Sequence, residues 1–160
     1  MSTGVATIGR SGACSVLSRA ARDVVDQFAT VLAEPAEDMQ AFSRDTCLLG
    51  CSCFHGPVAG LVSIAAPQRL CESMALGMGG GDGCAAESAL MAESVIGELA
   101  NMIASRVAFS LEPAELVFMT PPTVERSSHD DWVTLDGARD TVRLNVDGWP
   151  LLASLAFSRS

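Results

Sequence analysis

The chain of 160 residues contains no lysine, because all ten of its basic residues are arginine. Mechanisms that need a lysine Schiff base or the lysine of a P-loop are therefore excluded. The net charge is −9, which argues against nonspecific binding to nucleic acids or anionic membranes, since both depend on clustered basic groups. An acidic chain is instead compatible with a partner that presents a Lys or Arg near its own site.

Long apolar runs are also missing. No stretch approaches the roughly 20 apolar residues of a membrane span. Met1 to Cys14 lacks the basic segment and apolar run of a signal peptide. We therefore expect a cytoplasmic protein with no membrane partner, in which the six cysteines are reduced. Because 49% of the residues are hydrophobic and only 18% charged, the composition indicates a globular chain, and the length favours one domain.

The first half of the chain predicts helices around a hairpin. We expect a flexible tail over residues 1–12 and a single domain over 13–160. The expected elements are a helix from Ser15 to Ala33, strands Thr46–Phe54 and Val58–Ala66, a helix from Pro67 to Met78, a glycine-rich connector Gly79–Gly83, and a long helix Ala85–Phe109.

The second half predicts short strands. Leu116–Met119 leads into Pro121-Pro122, and Trp132–Leu135 is a candidate short strand. Asp147-Gly148 is a strong hairpin signal between Thr141–Val146 and Leu151–Ser158. The expected order is one helix, two strands, two helices and then short strands. Because single helices and single strands do not alternate, this order indicates an α+β fold rather than repeated β-α-β units.

The long helix carries a polar row formed by Ser94, Glu98, Asn101 and Ser105, because residues three and four positions apart share one helix face. The adjacent residues are small, which would let another molecule approach a carboxylate and a carboxamide closely. Glu98 has no Lys or Arg three or four positions away within the row. Spacing alone is more typical of the solvated face of an amphipathic helix than of a site.

The pattern Ser/Asp-x-x-x-Glu-x-x-Asn, followed about twenty residues later by Pro121-Pro122, resembles the signature of the CheC/CheX/FliY chemotaxis phosphatases. The string Gly-Glu-Leu-Ala-Asn-Met-Ile-Ala resembles the CheX branch, and one copy of the motif also favours CheX over CheC. The resemblance extends from about Thr46 to Phe157. It implies the CheC-like fold, which has a mainly antiparallel sheet and two long helices.

The resemblance also implies a function. It would be hydrolysis of the aspartyl phosphate on a phosphorylated CheY-type response regulator, with Asn101 positioning the attacking water and Glu98 pairing with the regulator's Lys. Ser94, Glu98, Asn101 and Ser105 would bind the partner. The Mg²⁺ would belong to the regulator's receiver domain, so that this chain binds no cofactor or metal of its own. CheX proteins are dimers, so we expect a homodimer.

Two other functions remain open at this stage. The first is a noncatalytic receiver-binding scaffold or adaptor in chemotaxis or another two-component pathway. The second is a small-ligand sensor, favoured only by the glycine-rich stretch. Ser105-Arg106 stands where the family often has Gly after the motif. Arg106 would pair with an acidic residue such as Asp82 or Glu93, or would repel the partner's Lys.

Other candidate sites have simpler explanations. Cys47, Cys51 and Cys53 should share one strand face and act as small buried hydrophobes, because a zinc site would need a second ligand pair. Gly77–Gly83 lacks the Lys-Ser/Thr of a P-loop and is expected to be a connector. Ser127 to Asp131 contains Ser, His and Asp, but adjacent loop residues seldom form a catalytic triad. Trp132 and Trp149 should be core or hairpin anchors.

Overall fold

The computed structural model describes residues 10–27, 34–35, 46–77, 85–111, 113, 116–138 and 140–157. The helices are α1 (Arg10–Val25), α2 (Gln68–Gly77), α3 (Ala85–Leu111) and α4 (His129–Asp136). The strands are β1 (Glu34–Pro35), β2 (Cys47–His55), β3 (Gly60–Pro67), β4 (Phe118–Met119), β5 (Thr123–Ser127), β6 (Thr141–Val146) and β7 (Trp149–Phe157). None of these helices combines the length and apolar character that crossing a membrane requires.

The strands form one sheet in the order β1-β6-β7-β3-β2, with β4 and β5 both paired to the far edge of β2. Every pairing is antiparallel. The two longest helices, α1 and α3, pack on one face of this sheet, and α3 lies across β2 and β3. The prediction of an α+β fold with a mainly antiparallel sheet and two long helices is therefore confirmed.

The main core lies between the sheet and these helices. Alternate residues of β2 and β3 point toward α3, and they include Leu48, Phe54, Val62 and Ile64, each no more than 1% exposed. Full burial of a side chain of this size contributes about 1.5–3 kcal/mol. The same alternation places Cys47 and its odd-numbered neighbours on the opposite face.

The opposite face is covered in part by α4. Trp132 is 3% exposed and packs with Cys47, Ala65 and Leu152 in a second, smaller core. The prediction of a short strand over Trp132–Leu135 is wrong, since these residues belong to α4. The local apolar run was compatible with either state, and the residues that precede it decide the outcome.

Ser128 is the residue that starts α4. Its hydroxyl accepts a hydrogen bond from the backbone N–H of Asp131 at 3.2 Å, and its own N–H donates to the Asp131 carboxylate at 3.0 Å. This reciprocal pair is a capping box, which favours a helix start. The donated backbone hydrogen bond lowers the pKa of the Asp131 carboxyl group. Ser128 and Asp131 thus form a helix cap rather than parts of a triad.

Several boundaries differ from the sequence prediction. The first helix begins at Arg10, inside the stretch expected to be a tail, and residues 28–33 of the expected helix lie outside the described residues. Strand β5 was not predicted. The predicted hairpin is present, and its turn residues Asp147 and Gly148 have φ values of 51° and 86°. Two positive values are typical of a type I′ turn, which matches the twist of the paired strands.

Gly50 marks a close approach between β2 and α3. A Cβ atom at this position would lie 2.6 Å from the carbonyl oxygen of Ile96. Only glycine therefore lets the backbone of α3 rest this closely on the strand. Because Ile96 lies on α3 between Ser94 and Glu98, this contact sets the distance between the polar row and the sheet.

We predict that Gly50→Ala displaces α3 and lowers the free energy of unfolding by about 1–3 kcal/mol, because the clash is with backbone that cannot rotate away. Urea denaturation of the two proteins measures this difference. Cys53→Ala on the same strand is the control, since its side chain points away from α3, and it should cost clearly less. A Gly50→Ala protein as stable as the wild type would contradict the proposed packing constraint.

Candidate functional site

The polar row lies on the accessible side of α3. Ser94, Glu98 and Ser105 are exposed and Asn101 is half-buried. The opposite side of the helix is fully buried and includes Ile96, Leu99, Ala100, Ile103 and Ala104. The structure therefore brings the four predicted site residues together along one surface, over three turns of a helix fixed to the core.

Asn101 is held by a residue that sequence reasoning missed. The hydroxyl of Ser52 donates a hydrogen bond to Asn101 Oδ1 at 3.3 Å, and Ser52 itself is only 1% exposed. This contact restrains the carboxamide while its NH₂ group and a second lone pair of Oδ1 stay available to an incoming molecule. Ser52 occupies an inward position of β2 between Gly50 and Phe54, and a hydroxyl at an expected core position is the signal that could have revealed it.

Glu98 contrasts with Asn101. It is exposed, and within the described part of the chain its carboxylate has no hydrogen bond or ion pair. It lies about one helical turn before Asn101 on the same face. The site thus presents a solvated carboxylate beside a restrained carboxamide, an arrangement suited to a cationic group next to a polar one.

Ser94 donates its hydrogen bond away from Glu98. Its hydroxyl donates to the carbonyl oxygen of Leu90 at 3.1 Å, one turn earlier on the same helix. Such back-bonding is common for serine within helices and satisfies the hydroxyl locally. Ser94 therefore shapes the rim of the row but does not orient the carboxylate.

Arg106 pairs across to the first helix. Its Nη1 atom lies 3.8 Å from Asp23 Oδ2 of α1. This differs from the expected pairing with Glu93 or Asp82; Glu93 lies more than three turns earlier on α3, and Asp82 lies outside the described residues. The guanidinium therefore points to the side of the row, toward α1.

Pro122 of the proline pair lies against the same helix. A Cβ atom at Gly97 would be 3.6 Å from Pro122 Cγ and 3.1 Å from Val124 Cγ2. The loop before β5 thus contacts α3 directly beside Glu98, and the absence of a side chain at Gly97 permits this approach. Pro121 and Pro122 are both exposed, so they form a rigid border on one side of the row.

The five cysteines among the described residues lie outside this site. Cys47 is buried as expected, whereas Cys51 and Cys53 are only half-buried, although all three share the predicted face. The Cys51 thiol donates to Ser63 Oγ at 3.5 Å, and burial raises the pKa of the Cys71 thiol to about 12. Among the described residues, no three His, Cys, Asp or Glu side chains are grouped to hold a metal ion. Residues 78–84 of the glycine-rich stretch lie outside the described residues.

Solved structures of CheC-like proteins share the α+β fold of this chain, an antiparallel sheet with a long helix across it. A family model described as chemotaxis phosphatase CheX matches residues 48–132, which include the whole polar row. The chain belongs to the CheX family. No functionally curated protein matches it in sequence.

Solved structures share this fold at low sequence identity. CheX from Vibrio vulnificus has a TM-score of 0.66 and 14% identity, with 94% of this chain and 99% of that chain covered. The CheX–CheY–BeF₃–Mg²⁺ complex from Borrelia burgdorferi gives 0.63 and 16%, with 91% and 97% covered. Thermotoga maritima FliY gives 0.55 and 14%, with 99% and 92% covered. At these identities the comparisons show the fold alone.

We predict that Ser52→Ala frees the Asn101 carboxamide without unfolding the protein. Loss of one hydrogen bond should cost about 1 kcal/mol. The side-chain NH₂ signal of Asn101 should show a lower NMR order parameter than in the wild type. Ser63→Ala, on the other face of the sheet, is the matched control and should leave this signal unchanged. An equally ordered Asn101 in Ser52→Ala would contradict the restraint.

Proposed function

We propose that this chain is a phosphatase that hydrolyses the aspartyl phosphate of a CheY-type response regulator. Membership of the CheX family supports this function. A complex of the Borrelia relative with CheY, BeF₃ and Mg²⁺ supports the class of partner, since beryllofluoride is a chemical analogue of a phosphoryl group. The observation that carries the proposal is the restrained Asn101 beside the unpaired, exposed Glu98.

In the proposed reaction, a water oxygen attacks the phosphorus in line with the aspartyl oxygen. The P–O bond to the aspartate breaks, which yields a carboxylate, inorganic phosphate and a proton released to solvent. Such a transition state needs little covalent help and depends mainly on positioning and charge neutralisation. Asn101 would accept from the water through the free lone pair of Oδ1, and its NH₂ group would donate to a phosphoryl oxygen or to the water itself.

Restraint by Ser52 matters for this role. A carboxamide that must be ordered in each encounter loses rotamer entropy at the moment of reaction, whereas one already held loses less. Ser52 is therefore a positioning residue in this proposal. It remains covered by α3 and does not reach the reacting atoms.

Glu98 would bind the regulator rather than act on the water. An exposed carboxylate without a partner in the described chain can pair with a Lys beside the regulator's phosphorylation site. Ser94, Ser105 and the two prolines would then border the docked surface. The Mg²⁺ would be held by the regulator, and the proposed partner implies a cytoplasmic location.

We predict that Asn101→Ala slows phosphate release by about 100-fold or more at saturating regulator, because the water loses its position. Binding of the phosphorylated regulator should persist. Glu98→Ala should mainly weaken binding. Glu87→Ala removes the same charge from an exposed position in the first turn of α3, outside the row, and is the control that should change little. The measurement is loss of phosphate from phosphorylated CheY-type regulators with Mg²⁺, tested as a panel.

Two results would contradict this proposal. Tight binding with no faster phosphate release by the wild type would favour the noncatalytic receiver-binding adaptor. An Asn101→Ala protein as active as the wild type would remove Asn101 from the mechanism. Circular dichroism of each variant checks that the fold is retained.

We also propose that the chain is a homodimer. Strand β5 is hydrogen-bonded to β2 on one side, and within the described chain its other edge has no strand beside it. Unpaired strand edges favour association, because they expose backbone donors and acceptors. Sedimentation equilibrium should give twice the chain mass of 16.6 kDa. The mass of a single chain at every concentration used in the kinetic assay would contradict the dimer.

A further inference from the structure

A groove of about 630 Å³ runs between α1 and α3, beside the polar row. Its polar lining includes Arg19 and Asp23 from α1 and Ser105 and Arg106 from α3, and Phe109 lies at its border. We call it the arginine groove. The groove is separate from the Ser52–Asn101 contact, yet it shares Ser105 with the row.

The charge of the arginine groove is opposite to that of the whole chain. Its lining holds two guanidinium groups and one carboxylate, in a chain whose net charge is −9. A site with this balance attracts an anionic group, whereas most of the acidic surface would repel one. Arginine is also suited to carboxylate recognition, because its planar fork can donate two parallel hydrogen bonds.

The ion pair inside the groove leaves Arg106 available. The Arg106 and Asp23 side chains are 45% and 54% exposed, and their closest atoms are 3.8 Å apart. A long, solvated pair of this kind holds the guanidinium only loosely. Arg106 can therefore exchange Asp23 for a better-placed acid, or bind both, without leaving a buried charge unpaired.

The position of the groove indicates its occupant. A protein that docks on the row reaches Ser105 and therefore meets the opening of the groove as well. Phe109 is 67% exposed at this point and would offer apolar contact. An aromatic ring next to two arginines matches the composition of the central parts of protein–protein interfaces.

We propose that Arg106, supported by Arg19, is a specificity-determining residue that binds an acidic side chain of the docked response regulator. This inference rests on the proposed function, since it concerns the same partner. It assigns a role to Arg106, which lines the groove next to Ser105, the last residue of the polar row. Selection among regulators would then depend on whether an Asp or Glu lies opposite the groove.

The test compares two charge reversals on the phosphorylated regulator that the wild type dephosphorylates best. Arg106→Glu should raise KM about tenfold and change kcat less than twofold, because the reacting atoms are not touched. Arg22→Glu is the matched control, since this exposed arginine of α1 lies outside the arginine groove and makes the same change of charge. It should raise KM less than about twofold.

A third variant tests the internal ion pair. Asp23→Asn should lower KM, because Arg106 would no longer be paired with Asp23 and could pair fully with the acidic side chain of the regulator. This decrease in KM should vanish when Arg106 is also replaced by Ala. Equal KM values for the wild type and Arg106→Glu, or equal losses in Arg106→Glu and Arg22→Glu, would overturn the inference while leaving the phosphatase intact. If the wild type released no phosphate, the proposed function would fail. The same variants compared by binding affinity would then decide this inference separately.

Discussion

The site depends on one close contact, the approach of α3 to β2 at Gly50. Because no side chain separates the strand from the backbone at Ile96, the helix lies low enough for Asn101 to meet Ser52. A helix held farther away by a Cβ atom would place the carboxamide beyond hydrogen-bond distance. Gly97 extends the same principle on the other side, where it admits Pro122 and Val124. The absence of two side chains thus fixes the position of the polar row.

Asn101 and Glu98, the two central residues of the row, differ in whether the protein restrains them before a partner binds. Asn101 is restrained before any encounter, which suits a group that must place a small molecule accurately. Glu98 remains solvated and unpaired within the described chain, which suits a group that must find a charge on another surface. Exposed ion pairs tolerate variable geometry, whereas water positioning does not. A buried anchor is therefore needed for the first residue and would bring no benefit to the second.

Local patterns made much of the fold predictable. The apolar residues of α3 recur with the helical period over many turns. The Asp147-Gly148 turn sets the hairpin of β6 and β7, because both of its residues adopt positive φ angles. These features depend on neighbours in sequence. The helix α4 differs from the predicted strand, because its four apolar or β-branched residues suit both states. The capping box of Ser128 and Asp131 favours the helix. Strand β5 is mostly exposed and gains its conformation from pairing with β2.

Only the part of the site that lies on α3 could be predicted from the sequence. The row followed from spacing, but its anchor Ser52 is separated from Asn101 by 49 positions and lies on another element. The same limit applies to Arg106, because the sequence predicts an acid such as Asp82 or Glu93 as its partner, whereas the guanidinium pairs with Asp23 of α1. Contacts between distant segments depend on how helices cross the sheet. Local patterns in one sequence do not reveal this crossing. Cys51 and Cys53 are a further case, since α4 covers the start of β2 and stops before reaching them.

In the function we propose, chemistry and partner choice occupy different parts of α3. A row that places a water must keep the same geometry whichever regulator is bound, so it is a poor place to encode preference. The flank toward α1 has no such constraint, because its side chains are solvated and its ion pair is weak. The arginine groove on this flank carries more positive than negative groups, whereas the chain as a whole is acidic. A surface that can vary without disturbing Asn101 is where discrimination between similar partners can arise at least cost to the reaction.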